Sequence, residues 1–227
     1  MYARWTKAYL KNVDMFACIT EFQKKKLIET GYDKNKITVI PNSIDAPCSY
    51  TPTSGEYIAY IGRLSYEKGY DLLVEVARKH PEIKFRFAGA QREQKNTDIP
   101  SNVEFAGYLQ KDKLLEFIQK ARFIVIPSRC YEGFPMAILE AACHGKPAIA
   151  PNHGGFTEII GQGENAIGKL FEPGNTDDLD KQIAELWNNQ TLTEELGEKA
   201  FRKLKKHYDS EVVYKQWETL FSKLKNS

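Results

Sequence analysis

Long apolar runs are largely absent from this chain. No stretch approaches the roughly 20 residues needed to span a bilayer, and the opening MYARWTKAYLKNVD has no continuous apolar core of a secretory leader. These absences set the expectation of a cytoplasmic protein, with peripheral contact at the inner face of the plasma membrane left open. Cysteine is scarce and unpatterned: Cys18, Cys48, Cys130 and Cys143 form no C-x-x-C pair. A disulfide framework or a zinc site needs closer, ordered ligands, so all four read as free thiols in a reducing compartment. A surplus of one charge is missing too. Lys and Arg number 32 against 30 Asp and Glu, leaving a net charge of +2, which gives no reason to expect a nucleic-acid partner. Internal repeats and low-complexity tracts are also lacking. What remains is ordinary for a soluble globular protein: 227 residues, 42% hydrophobic and 27% charged. That is enough chain for one large domain with a buried core, or one domain and an appendage.

Along the chain, Trp5, Tyr9, Val13 and Phe16 recur at three- and four-residue intervals, which predicts an amphipathic helix within residues 2–30. KITVIPNSID is a β-branched run stopped by Pro41-Asn42, a strand entering a turn. Cys48 to Glu56, rich in Pro, Ser, Thr and Gly, reads as a linker. From Tyr57 onward strand and helix patterns alternate. The expected strands are YIAYIG, IKFRFAG, VEFAG, RFIVIPS, PAIAP and AIGKLFE. The expected helices lie at Glu67–Lys79, Lys111–Lys120, Pro135–His144 and Phe156–Ile160, with three more closing the chain, the last two at Thr193–His207 and Ser210–Lys225. Near-continuous apolar strands alternating with helices imply an α/β fold, a Rossmann-like parallel sheet with helices on both faces. In such folds ligands bind at the carboxyl ends of the strands.

Polar and glycine residues gather at those ends. Pro135 suits a first helical turn, and the helix it opens would turn its spare N–H groups toward the sheet edge, as a phosphate site does. Glu132 would stand beside that end and Glu140 about two turns deeper. Carboxylates near phosphate make sense if they accept bonds from sugar hydroxyls; the alternative is a solvated helix-entry Glu and a salt-bridged one. Glu140 sits between Leu139 and Ala141-Ala142, where a carboxylate needs a partner. Gly62 ends a strand, where it permits close approach of a ligand or simply makes a turn. Arg63 offers a planar fork for phosphate oxygens and Lys68 a mobile point charge; otherwise both are surface cations near Glu67. His144 and His153 have no second ligand at metal-binding spacing and read as structural. Gly154-Gly155 opens a short helix toward the cleft or forms a flexible turn, leaving Glu158 a minor candidate.

Taken together, VIPNSID (39–45), YIGRLSYEKGYDLL (60–73), FAG (87–89), VEFAGYL (103–109), PSRCYEGFPMAILEAACHGKPAIA (127–150) and GGFTEII (154–160) resemble glycosyltransferase family 4. These are retaining enzymes of two-lobed GT-B fold, and the resemblance runs from about Val39 to Pro173 within their C-terminal, donor-binding domain. It implies that Arg63 and Lys68 hold the diphosphate of a UDP-sugar or GDP-sugar donor, without a cofactor or a required metal. It places Glu132 on the donor sugar and Glu140 on the ribose. Backbone of Gly133, Phe134 and Pro135 would line the sugar pocket, and the Met136 and Ala137 N–H groups would meet phosphate. Gly89 belongs to the same cleft, while Gly107, Tyr108 and Leu109 would lie along the base. Glu132, Arg63 and Lys68 are the candidate catalytic residues.

The same resemblance divides the chain into a tail of an acceptor lobe with its connecting strand (1–45), a nucleotide-sugar-binding domain (46–208) and a C-terminal helix packing back toward that lobe (209–227). The lobe itself is expected elsewhere, on a removed segment or a separate polypeptide, and would bring the acceptor, a sugar or lipid-linked glycan. Val213, Trp217, Leu220, Phe221 and Leu224 would then be partly exposed, and the isolated fragment inactive. Surface polysaccharide or lipopolysaccharide synthesis is the expected setting. Competing readings are a non-catalytic nucleotide-sugar-binding subunit and a GT-B-fold sugar-nucleotide epimerase. A phosphorylase would need a cofactor lysine motif that the sequence does not show.

Overall fold

The computed structural model of the chain describes residues 10, 12–47, 49, 50, 52, 54–90 and 98–225. A two-stranded parallel pair comes first, β1 (Phe16–Cys18) beside β2 (Ile37–Val39), linked through helix α1 (Glu21–Glu29). Thr20 caps α1 by accepting from the Gln23 N–H, the usual role of a threonine at that position. The helix expected over residues 2–30 is therefore corrected at Phe16. Phe16 pairs with Ile37 in a strand, because extended backbone there completes a ladder that a helix could not. Trp5 and Tyr9 lie outside the described residues.

The main sheet holds β3 (Tyr57–Ile61), β4 (Phe85–Ala88), β5 (Val103–Gly107), β6 (Ala121–Val125), β7 (Ala148–Pro151) and β8 (Gly168–Phe171). All neighbours are parallel, in the order β5-β4-β3-β6-β7-β8. The chain starts in the middle, winds out through β4 and β5, then returns to wind the other way, the doubly wound arrangement. Alternation along β3 sends Ile58 and Tyr60 to one face and Tyr57 and Ala59 to the other. Helices α2 (Tyr70–Lys79) and α6 (Thr176–Asn188) cover the first face with Leu73, Val76, Leu179 and Ile183. On the second, α3 (Asp112–Lys120), α4 (Met136–Ala142), α5 (Gly154–Ile160) and α7 (Gln190–His207) contribute Ile118, Leu139, Phe156 and Leu204. Each such side chain contributes about 1.5–3 kcal/mol by leaving water.

Two departures from the sequence pattern have local causes. The helix expected at Glu67–Lys79 is a 3-10 turn over Tyr66–Lys68, then α2, divided at Gly69 with φ 69°. A side chain there would place its Cβ 1.8 Å from the Pro127 carbonyl oxygen, so glycine lets the loops after β3 and β6 touch. The Cys48–Glu56 linker is anchored rather than free: Tyr50 packs on Phe201, ring centroids 4.8 Å apart, while Cys48, Thr51 and Thr53 lie outside the described residues. Cys18, Cys130 and Cys143 are free thiols. The last helix, α8 (Ser210–Lys225), is joined to residue 44 by Ile44 N–H to Tyr208 C=O and Ser210 N–H to Ile44 C=O bonds of 3.0 and 3.1 Å. No helix among the described residues is long and apolar enough to cross a membrane.

Candidate active site at the switch point of the sheet

Strand order reverses between β3 and β6, and connections leaving their carboxyl ends diverge to opposite sides, opening a crevice. The loop after β3 carries Gly62, Arg63 and Lys68; the loop after β6 carries Glu132 through Pro135. Several contacts hold these loops together. The Arg129 N–H donates to the Glu67 carbonyl at 2.9 Å. Its guanidinium grips Asp71 with two bonds of 2.7 Å, donates to the Tyr66 carbonyl and lies 4.0 Å from the Tyr66 ring centroid. Asp71 and Arg129 fall within the motif strings but carry no role in the sequence reading, since a brace between two loops has no sequence spacing of its own. Below them, the buried Tyr60 hydroxyl donates to the Arg63 carbonyl at 2.6 Å, and burial pushes that phenol well above its usual pKa.

A cavity of about 270 Å³ opens at this edge, with Gly62, Arg63, Gly89, Tyr108, Leu109 and Glu140 on its walls. The sequence singled out all six; Ile61, Ala88, Ala90 and Leu114 complete the lining and could not be told from ordinary core positions beforehand. Gly89 is needed for closeness, because an added Cβ would fall 1.7 Å from the Gly62 carbonyl oxygen. Tyr108 lies on the rim, 68% exposed. Glu140 projects from α4, and no donor meets its carboxylate among the described residues. Burial alone raises its pKa. The salt-bridged alternative for Glu140 is thus not what the structure shows; its carboxylate faces the cavity.

Lys68 and Glu132 lie outside that lining and meet each other, Nζ to Oε1 at 2.6 Å, with side chains 22% and 20% exposed. Arg63 approaches Glu67 at 3.6 Å. Glu132 is held from behind by α5: the Gly155 N–H donates to its carbonyl at 3.1 Å, so Gly154-Gly155 opens a helix that supports the site loop. Pro135 precedes α4 with extended backbone, and its carbonyl accepts from the Ile138 N–H. The Met136 and Ala137 N–H groups meet no backbone carbonyl among the described residues, as expected of a first turn. Gly133 lies against the Gln23 side chain. Phe134 is buried edge-on to Tyr208 at 5.6 Å. Met136 borders a different cavity, about 970 Å³, between α8 and the turn at residues 40–43. Gly133, Phe134, Pro135, Met136 and Ala137 are therefore not on the walls of the Glu140 cavity.

The minor candidates have other employment. Glu158 caps α1, accepting from the Glu21 and Phe22 N–H groups at 3.0 and 3.1 Å. His153 is wedged between Tyr131 and Phe156, and burial lowers its pKa. No group of three or more metal-ligating side chains clusters among the described residues. On α8 only Val213 is buried; Trp217, Leu220 and Leu224 are half-buried and Phe221 is exposed.

Comparison with known proteins adds an independent line. The family described as "Glycosyl transferases group 1" matches residues 49–203. An uncharacterised glycosyltransferase of Methanocaldococcus jannaschii is 32% identical over 193 residues, covering 82% of this chain and 53% of the relative. A sulfoquinovosyl transferase of Arabidopsis thaliana is 30% identical over 175 residues, 74% of this chain and 32% of the relative. Among solved structures, Anabaena HepE in complex with UDP superposes with TM-score 0.82 at 18% identity, over 92% of this chain and 64% of that one. That likeness establishes the fold, and the structural neighbours are GT-B glycosyltransferases. The chain spans about half the length of the M. jannaschii relative.

Proposed function

The chain belongs to the group 1 glycosyl transferases, as the match over residues 49–203 shows, and on that premise we propose that it is the donor-binding lobe of a retaining family 4 enzyme. It binds a UDP-sugar or GDP-sugar and transfers the sugar, together with an amino-terminal lobe, to a sugar or lipid-linked acceptor in surface polysaccharide or lipopolysaccharide synthesis. In this reading residues 46–208 are the nucleotide-sugar domain, 1–45 the connection to the acceptor lobe, and 209–227 the helix that packs back on it. Without that lobe the chain binds donor and is inactive. Work is done in the cytoplasm, at the inner face of the plasma membrane.

One observation supports this reading above the rest: Gly62, Arg63, Gly89, Tyr108, Leu109 and Glu140 surround one cavity at the switch point. Glu140, lacking a donor among the described residues, accepts from the ribose hydroxyls. Tyr108 and Leu109 flank the base, and the tight Gly89–Gly62 approach leaves room for the nucleoside. Arg63 and Lys68 take the diphosphate, joined by the Met136 and Ala137 N–H groups. As the glycosidic bond to phosphate breaks, negative charge develops on the leaving pyrophosphate, and these fixed donors stabilise it without a divalent metal. Glu132, released from Lys68, takes the hydroxyls of the donor sugar beside the backbone of Gly133, Phe134 and Pro135. The acceptor hydroxyl attacks on the face that keeps the anomeric configuration and its proton passes to the departing phosphate oxygen, a step that needs the other lobe.

Calorimetric titration with UDP and GDP tests the assignment. Removing two charged phosphate contacts in an Arg63→Ala, Lys68→Ala double variant costs about 3–6 kcal/mol, a loss of at least about a hundredfold in affinity. Undiminished affinity in that variant counts against it. A thermal-shift panel of UDP, GDP, ADP and CMP sugars identifies the base, since only the matching donor stabilises the fold.

A further inference from the structure

A second concave surface lies away from the switch point and shares no lining residue with the Glu140 cavity. Helix α7 carries Lys199, Arg202, Lys203 and Lys206, the spacing of one helical face. The stripe runs about 10 Å along the axis and ends at His207. The turn Gly163–Asn165, which follows α5, stands opposite, and the two walls enclose about 440 Å³. Glu164 is the one carboxylate among the lining residues, against four side-chain cations.

An ordinary solvated helix face looks different, because its cations find acids at neighbouring turns. On this same helix Lys205 pairs with Asp209 at 2.6 Å and Arg202 with Glu198 at 2.5 Å. Lys199 and Lys206, exposed on the cavity wall, meet no carboxylate among the described residues. Lys203 is fixed in place: its Nζ donates to the Ile159 carbonyl at 2.7 Å and reaches the Glu158 carbonyl at 3.4 Å, closing the end of α5. Burial holds the Lys203 pKa below its ordinary value, with nearby Glu158 opposing. His207 is held down first by burial, then by Lys206 and Lys203. Lys199 and Lys206 thus line a concave wall with no carboxylate partner among the described residues, and concave walls concentrate such a field.

We infer that this cavity binds a phosphate ester, through the ammonium groups of Lys199 and Lys206 and through His207, with Arg202 turning from Glu198 to join them. The volume exceeds that of a bare phosphate and leaves room for the esterified group. A phospholipid headgroup and a soluble phosphorylated metabolite present the same chemistry, and the two arms of the test separate them. One arm measures co-sedimentation with phosphatidylcholine vesicles with and without phosphatidylglycerol; the other is calorimetric titration with glycerol 3-phosphate. Each lysine contributes about fivefold, so a Lys199→Gln, Lys206→Gln variant binds about 25-fold more weakly. A Lys84→Gln, Lys181→Gln variant loses the same net charge at exposed positions outside the cavity and keeps the wild-type affinity. Binding confined to one arm names the source. Failure of the wild-type chain to bind either probe, equal losses in both double variants, or binding that survives Lys199→Gln, Lys206→Gln overturns the inference.

Discussion

Replacing Glu140 by glutamine is expected to move stability and ligand affinity in opposite directions. Burial raises the Glu140 pKa above its unfolded value. Between those two values the folded chain keeps a proton that the unfolded chain has released. The contribution to stability is therefore full below the unfolded pKa and is lost as pH rises through the folded one. Above the folded pKa Glu140 is an ionised, partly buried carboxylate with no donor among the described residues. The isosteric amide removes that charge. Because the cavity mouth admits water, the gain is discounted to about 1 kcal/mol, which raises Tm by ~2–4 °C for a chain of this size. The same change takes charge-assisted acceptors from the ribose hydroxyls and presents an NH2 group to them instead. A net loss of about 2 kcal/mol follows, or ~30-fold in UDP affinity. Thermal unfolding as a function of pH, beside calorimetric titration with UDP, reads both. Wild-type Tm should fall as pH rises through the folded Glu140 pKa, and Glu140→Gln should flatten that slope. UDP affinity unchanged in Glu140→Gln refutes the ribose role, whatever Tm does.

Two further perturbations probe what holds the site in shape. Gly89→Ala drives a Cβ toward the Gly62 carbonyl, so the β3 and β4 ends must part; urea unfolding should show a loss of about 1–3 kcal/mol, accompanied by weaker UDP binding. Asp71→Ala strips Arg129 of its bidentate partner and loosens the loop that carries Lys68. A stability loss of about 1–2 kcal/mol is expected for this partly buried pair, with UDP affinity reduced although neither residue touches the cavity, and Arg129→Lys should show a similar loss because the planar fork is gone.

The doubly wound sheet was legible because buried parallel strands such as YIAYIG and RFIVIPS are almost wholly apolar, and because Gly and Pro mark their ends. Cavity residues such as Gly62, Gly89 and Glu140 were legible for the same reason: each is a residue type that strand ends or an apolar helix would not select for packing. Phe16 was misread because three strand residues carry no period of their own, and β1 exists only by pairing with Ile37–Val39, 21 residues away in register. The Asp71–Arg129 brace and the capping of α1 by Glu158 connect positions 58 and more than 130 residues apart. Such contacts are decided by tertiary geometry and leave no local pattern. The break at Gly69 follows the same logic, since the need for glycine comes from Pro127 across the crevice.

The 2.6 Å contact between Lys68 and Glu132 leaves these two side chains electrically quiet, each answering the other. A lone anion that draws Lys68 away strands Glu132 in a place only 20% open to water, and a neutral sugar that courts Glu132 strands Lys68. On the proposed donor role, a molecule bearing phosphate and hydroxyls on one skeleton satisfies both at once. In that same role, the pair sets a threshold against inorganic phosphate and free hexose.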